Sequence, residues 1–467
     1  MRANATRSFL FAVSSKDTIV ALSTPTGRSG IGVIRLSGER ALDYVRSLLN
    51  DPHFTPDSHR VVLRKIFDPQ THELLDRAII TYFKAPQSFT GEDIVELSCH
   101  GSPVLLLHVV DALLALGARA AEAGEFTLRA LANQRLNLSQ AEAVRDLIDA
   151  QTQSAVRQAA RQLGGELSAR LQPTKDALLE IIVPLESSLE FVEDDLPQIA
   201  IERISLQLTN LIQSLDELAG TFRAGRLLKD GLKVTLVGRP NVGKSSVFNS
   251  LLVSDRAIVT EIPGTTRDSL SELLNIGGVP VLLTDTAGMR ESNDPVEYLG
   301  IERTRRAIAD ADLVLFVVDG SQPLTAEDKA IFANIAESKY LIVLNKSDLE
   351  NFDKLLCTEI GANSKSLAVS AKTGEGLDAL RTAIMEPFES GRTTESGFLI
   401  TNARHFDVLR RAADALRSSK SLVLQGASED LILVGLYDSL RYLGEITGET
   451  TPEDVLSQIF ATFCIGK

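Results

Sequence analysis

Residues Gly238 to Ser246 read Gly-Arg-Pro-Asn-Val-Gly-Lys-Ser-Ser and follow the apolar run Val234-Thr235-Leu236-Val237. A buried strand that turns through glycines into a helix aims backbone N–H groups at one centre, and the helix N-terminus adds partial positive charge. This spacing makes a cradle for a polyphosphate. Asn241, Val242, Gly243, Lys244, Ser245 and Ser246 are its contacts, with Lys244 reaching the β- and γ-phosphates and the Ser245 hydroxyl ligating Mg²⁺. The base is specified by Asn345-Lys346-Ser347-Asp348, which follows the apolar run Leu341-Ile342-Val343-Leu344 at the strand end where doubly wound sheets bind ligands. The Asp348 carboxylate can accept from the guanine N1–H and exocyclic amine together. Adenine lacks that donor pair and would leave a buried carboxylate unpaired, so GTP is preferred to ATP. Ser370-Ala371-Lys372 ends a further apolar stretch and backs the base with a backbone N–H.

Asp285-Thr286-Ala287-Gly288, after Val281-Leu282-Leu283, supplies a carboxylate to the Mg²⁺ shell through water and a glycine N–H to the γ-phosphate. Met289 stands where Ras-type proteins carry a water-orienting Gln, and a thioether cannot position a nucleophilic water. Glu291, Asp294 and Glu297 in the following loop are candidates for that work, and each is equally readable as a solvated acid. Asn241 offers a neutral amide oxygen that either holds a monovalent cation beside the phosphates or simply bonds its own backbone in a turn. Thr260, Glu261, Ile262, Pro263, Gly264, Thr265 and Thr266 form a switch-like segment in contact with the nucleotide. Thr266 would complete the Mg²⁺ shell, and oxygens of Thr260, Ile262 and Thr265 could wrap the monovalent ion. Such an ion supplies the charge that other GTPases take from an arginine finger.

The elements that must hold these residues exceed one domain. The chain has 467 residues, of which the GTP-binding unit needs about Gly231 to Pro387. Residues before about 130 alternate short β-like runs (Thr18 to Ser23, Gly32 to Leu36, Ala78 to Phe83, Ile94 to Leu97) with helical stretches (Glu39 to Leu49, Val104 to Leu116), the pattern of a small α/β domain. Long helical periodicity follows at Ser139 to Leu163, Leu167 to Glu193 and Ile201 to Ala224. It returns at Asn402 to Leu424 and Glu429 to Thr447. Helices on both flanks of a complete nucleotide unit imply that the unit is inserted into a helical domain, an arrangement that couples nucleotide state to the geometry of the host.

Net charge is −14, so no broad basic field advertises nucleic acid and any RNA contact is local or made by a partner. No apolar run approaches the ~18 residues of a membrane span. The opening segment is too weakly apolar for a secretory signal; its Arg and Ser and its lack of acids also suit a transit peptide, which would make the location mitochondrial instead of the expected cytoplasm. Cys99, Cys357 and Cys464 are too few and scattered for a disulfide framework or metal cage. Cys99-His100 reads as core, and the tail Phe463-Cys464-Ile465-Gly466-Lys467 reads as a frayed terminus, the alternative being a segment that folds back and delivers a thiol or ammonium to a neighbouring pocket.

Further motifs carry a resemblance. They are Asp17-Thr18-Ile19-Val20-Ala21 with Gly30-Ile31-Gly32-Val33-Ile34-Arg35, Ser88-Phe89-Thr90-Gly91-Glu92-Asp93, Gly124-Glu125-Phe126, Ala141-Glu142-Ala143, Gly264-Thr265-Thr266-Arg267-Asp268 and the Cys-Ile-Gly-Lys end. Together they resemble the tRNA modification GTPase family known as MnmE or TrmE, over nearly the whole chain. The resemblance implies a multidomain fold of α/β plus all-α parts: an N-terminal tetrahydrofolate-binding and dimerisation domain (1–133), a helical domain in two parts (134–230 and 389–467) and an inserted Ras-like P-loop GTPase domain with a doubly wound sheet (231–388).

It further implies K⁺ on Asn241, Thr260, Ile262 and Thr265, Mg²⁺ on Ser245 and Thr266, and Glu297 as the catalytic residue that helps activate water. A tetrahydrofolate derivative, in its 5,10-methylene or 5-formyl form, would meet Arg35, Glu96 and Lys467, with Arg135 where a Lys is common. The implied partners are a second copy, the FAD-dependent MnmG (GidA) in a heterotetramer or larger complex, and tRNA. The implied reaction adds an aminomethyl or carboxymethylaminomethyl group at C5 of the wobble uridine. A competing reading from the residues is a ribosome-assembly GTPase acting as an RNA-binding switch; it requires a basic RNA-binding module, and no basic-flanked Gly-x-x-Gly segment stands outside the nucleotide unit.

Overall fold

The computed structural model of the chain describes residues 17–190, 198–255, 270–286, 306–354, 356, 365–386, 397–451, 456 and 459–466. The chain forms two compact units. One comprises Met1–Ile148, Arg161–Ile212 and Arg411–Lys467, and the other Asp149–Ala160 and Gln213–Arg410.

The first unit contains a six-stranded sheet in the order β3-β4-β5-β2-β1-β6, made of β1 (Ile19–Leu22), β2 (Ile31–Ser37), β3 (Val61–Phe67), β4 (Leu74–Phe83), β5 (Ile94–His100) and β6 (Arg119–Ala120). Alternation of side chains decides its two faces. Ile34 and Leu36 of β2 and Val95, Leu97 and Cys99 of β5 point into a core with α1 (Ala41–Leu49) and α2 (Pro103–Ala115). In α1 the buried positions Ala41, Tyr44, Val45 and Leu48 recur at three- and four-residue steps, one stripe of a helix. Truncating a fully buried leucine such as Leu48 to Ala costs about 2–5 kcal/mol. Close approach of α2 requires Gly32, because a Cβ there would stand 2.3 Å from Leu106 Cδ1. The other face carries Val33, Arg35, Glu96 and Ser98, and the register sets Arg35 directly opposite Glu96.

Three sequence expectations shift here. Strand β3 was not anticipated, because four of its seven side chains are exposed, Arg64 and Lys65 among them, and an edge strand need not look apolar. The stretch Ser139 to Leu163, which follows α3 (Glu125–Ala132), is two helices: α4 (Leu138–Asp149) and α5 (Gln153–Leu163). Thr152 divides them by capping the second, its Oγ1 accepting from Ala155 N at 3.2 Å. Likewise Ile201 to Ala224 is α7 (Gln198–Gly220) and α8 (Phe222–Asp230), divided where the Thr221 hydroxyl donates to Leu218 O at 2.7 Å and accepts from Ile400 N at 3.0 Å. Between these pairs α6 (Glu166–Glu190) runs through Pro173 and Pro184, and each proline deprives one carbonyl a turn earlier of its donor.

The second unit holds a sheet in the order β12-β11-β10-β7-β9-β8: β7 (Leu232–Val237), β8 (Leu270–Ile276), β9 (Val279–Asp285), β10 (Leu313–Asp319), β11 (Tyr340–Asn345) and β12 (Ser366–Ala368). All pairings are parallel except β8 with β9. Parallel strands covered on both faces read as continuous apolar runs, as Leu313 to Val318 does, and apolar clusters lie on both sides. After β7 the chain adds β8 and β9 on one side and β10 to β12 on the other. The loop leaving β7 therefore lies at the topological switch point, where such sheets bind ligands. The chain thus has the multidomain architecture of α/β and helical parts with a doubly wound nucleotide-binding sheet.

Candidate nucleotide site and the Arg35 platform

The loop from β7 enters α9 (Lys244–Asp255) through two residues in the left-handed region, Asn241 at φ 63° and Gly243 at φ 94°. Gly243 is required twice, since a Cβ would also stand 2.2 Å from Asn345 Nδ2. Lys244 is 6% exposed and its ammonium donates to the carbonyls of Gly238 and Arg239 at 2.9 and 2.8 Å, so it is held over its own loop. Ser245 Oγ donates to Asp285 Oδ2 at 2.7 Å, which joins the two residues expected to serve Mg²⁺. Hard oxygens of this kind fit that ion. Thr286 fastens the end of β9 by donating to Leu236 O at 2.7 Å. Asn241 is exposed and holds the left-handed turn conformation.

The base corner is tied to the phosphate loop by Asn345, whose amide donates to Val242 O at 2.9 Å and accepts from Ala371 N at 3.1 Å. Ser370 Oγ donates to Asp348 Oδ1 at 2.8 Å and itself accepts from Thr373 N at 3.1 Å. Asp348 is exposed, contrary to the buried carboxylate assumed from sequence, so rejection of adenine by desolvation operates once a base covers it. Two N–H groups expected to back the base are engaged within the protein, Ser370 with Glu375 O and Ala371 with Asn345 Oδ1. Ser246 and Lys372 are exposed beside these groups, while Val242 is buried.

In the first unit Arg35 and Glu96 meet across adjacent strands, Nη2 to Oε1 at 2.7 Å and Nε to Oε1 at 2.9 Å. The guanidinium stands 5.7 Å from the ring centres of both Phe89 and Phe126. Arg135 Nε donates to Ser88 O at 3.2 Å and so supports the loop that carries Phe89. The chain terminus joins this platform, which corrects the frayed-tail reading. Phe460 and Phe463 are buried with Leu131, Leu138 and Ala141, Ile465 bridges Ala123 in antiparallel fashion, and Gly466 O accepts from Ser23 Oγ at 3.2 Å and Arg35 Nη1 at 3.5 Å. Burial of the two phenylalanine rings offsets part of the cost of ordering the terminal segment.

A family model for the MnmE helical domain matches residues 138–464, and one for the GTP-binding protein TrmE N-terminus matches residues 18–135. The tRNA modification GTPase MnmE of Koribacter versatilis is 45% identical over 459 residues, covering 97% of this chain and 99% of that protein. Its namesake in Aquifex aeolicus is 42% identical over 461 residues, covering 97% and 100%. The chain belongs to the MnmE family. Membership sets aside the ribosome-assembly reading, which rested on the nucleotide unit alone.

Several MnmE-type assignments lie outside the described residues: Thr260, Glu261, Ile262, Pro263, Gly264, Thr265, Thr266, Ala287, Gly288, Glu297 and Lys467, together with Met289, Glu291 and Asp294. Sequence reasoning missed other participants. Asp319, at the end of β10, takes the Lys346 ammonium at 2.6 Å, and the apolar run ending in Asp319 was the available signal. Arg239 places its guanidinium Nη2 2.8 Å from Gln322 Oε1 and its Nε 3.2 Å from Asp328 Oδ2, tying the phosphate loop to the start of α10 (Ala326–Ile335). The core reading of Cys99-His100 holds for Cys99 alone, because His100 is exposed and its Nδ1 lies 2.7 Å from Asp76 Oδ1. Cys99 faces the core, where burial first and the Asp76 charge second push its thiol up to about 12.

Proposed function

We propose that this chain is a K⁺-dependent GTPase that works with the FAD-containing MnmG to modify C5 of the wobble uridine of certain tRNAs, adding an aminomethyl or carboxymethylaminomethyl group. The observation that carries the proposal is the linked cradle Lys244, Ser245–Asp285 and Asn345–Ala371 in a chain that also bears the Arg35–Glu96 platform. Lys244 would leave its two carbonyls for the β- and γ-phosphates, and Ser245 would exchange Asp285 for Mg²⁺, which neutralises charge between those phosphates when bound. Asp348, steadied by Ser370, reads guanine. Asn241, with Thr260, Ile262 and Thr265, would hold K⁺, an ion that supplies the positive charge of an arginine finger. Glu297 would orient the attacking water in place of the glutamine that Met289 replaces.

Arg35, Glu96, Arg135 and Lys467 would seat the tetrahydrofolate derivative that brings the one-carbon unit, and ammonium or glycine would bring the amine. The domain limits are 1–133, 134–230, 231–388 and 389–467. A homodimer through the first domain is supported by its open sheet face, where Ile31, Leu63 and Ile79 are exposed. With a net charge of −14, much of the basic tRNA surface would fall to MnmG. Among the described residues no helix is long and apolar enough to cross a membrane, and the cytoplasm is the proposed location.

The decisive assay is GTP turnover in KCl against NaCl. Turnover should be strongly stimulated by K⁺ and lose that stimulation in Asn241→Ala, while Glu297→Ala should lower turnover at least tenfold with GTP affinity kept. Equal rates in the two salts would remove the cation from the account, and unimpaired turnover in Glu297→Ala would return that residue to the solvent.

A further inference from the structure

Arg129, on α3, is the largest fully buried side chain among the described residues and touches none of the groups assigned above to nucleotide or folate. Its guanidinium ties its own helix to two segments remote in sequence. Nη2 donates to Asp17 Oδ1 at 2.7 Å and Glu125 Oε1 at 2.9 Å, while Nη1 donates to Asp17 O at 3.0 Å and Glu92 Oε2 at 3.1 Å. Arg119 shares two of these carboxylates, bonding Asp17 and Glu125. Glu92 also accepts from Ser37 Oγ at 2.8 Å, and Ser37 shares a 2.7 Å hydrogen bond with Thr90. The Glu92 end of the cluster therefore fixes the loop bearing Phe89, and the Glu125 end fixes the first turn of the helix bearing Phe126. Those are the two rings that flank Arg35 at 5.7 Å each.

We propose that Arg129 is a positioning residue for ligand binding at Arg35: it holds the loop and the helix apart at the spacing that lets Phe89 and Phe126 orient the guanidinium toward an anionic, aromatic ligand of the folate class. A cheaper apolar residue would fill the same volume, but it would not link three carboxylates on separate segments. The multidentate fork of an arginine does so, and a lysine can do so only in part. The inference rests on Arg35 being a folate contact, and the test separates the two.

Binding of 5-formyltetrahydrofolate to the full-length protein is measured by calorimetry, with thermal midpoint and affinity for a fluorescent GTP analogue as fold controls. Arg35→Ala should abolish folate binding; if it binds normally, the folate reading itself fails. With Arg35→Ala defective, Arg129→Met should weaken folate at least tenfold, Arg129→Lys should recover part of the loss, and nucleotide affinity should stay within twofold. The double variant Arg129→Met/Glu92→Met removes one charge of each sign and restores the balance of the cluster. Its thermal midpoint should recover while folate binding stays weak. Recovery of both would reduce Arg129 to a stabiliser and overturn the inference, as would wild-type affinity in a folded Arg129→Met. If Arg129→Met fails to fold, Arg129→Lys and Glu92→Gln carry the test, and wild-type folate affinity in both overturns it.

Discussion

Lys346 adopts φ 68°, a conformation uncommon for a residue with a Cβ, and lays its ammonium 2.6 Å from Asp319, which is 2% exposed. Burial pushes the Asp319 carboxyl up, yet the Lys346 ammonium together with the Ser321 hydroxyl and N–H outweighs it and holds the group below its ordinary 3.8. A carboxyl depressed in the folded state adds stability that is present above its unfolded pKa and is lost as pH falls through the folded one. Breaking a fully buried pair costs roughly 3–5 kcal/mol. With the Lys346 side chain 33% exposed, a smaller loss of about 2 kcal/mol is expected for Lys346→Ala at neutral pH. Comparison of thermal midpoints should show that loss at pH 7 and its shrinkage below about pH 3.8, where wild type gives up the same contribution. An equal penalty at both ends of the pH range would mean that the ion pair is not its source.

At the scale of elements, the tail is fixed by backbone positions that exclude side chains. Gly466 has φ 95° and a Cβ there would lie 2.5 Å from Leu22 O; Gly124, at φ 69°, would bring a Cβ 2.9 Å from that of Phe463. Gly466→Ala should therefore release the last residues while Phe460 keeps its place, raising hydrogen exchange at Gly124, whose N–H donates to Cys464 O at 3.4 Å, and weakening folate severalfold through Arg35. Unchanged protection at Gly124 would show that the terminus tolerates the methyl group by a local shift. The same elements show what a sequence discloses. The phosphate loop and Asn345 to Asp348 were legible because each is a contiguous run at a strand end, where spacing alone fixes roles. The tail was not legible, because its partners Ser23 and Arg35 lie 443 and 431 positions away. Arg129 was equally hidden, since Asp17, Glu92 and Glu125 become a cluster only after the sheet has formed. Helix breaks at Thr152 and Thr221 escaped a reading of apolar period, which continues through a capping threonine without interruption.

For the whole molecule the chain divides into two compact units, each with its own sheet and apolar core, so unfolding should not be a single cooperative event. The nucleotide cradle lies in one unit and the Arg35 platform in the other. A ligand that binds only the folded form stabilises its own unit by about 2.7 kcal/mol at a concentration of one hundred times Kd. For units of this size that corresponds to roughly 5–10 °C. Scanning calorimetry should resolve two transitions: GDP with Mg²⁺ should raise one, 5-formyltetrahydrofolate the other, and both ligands together should raise each by its separate amount. A single transition raised by either ligand would mean that the units unfold as one and that the two ligands stabilise the same folded state. Separate transitions would leave any coupling between GTP and folate to conformational change within the folded state, where it has to be measured as a change in one ligand's Kd on saturation with the other.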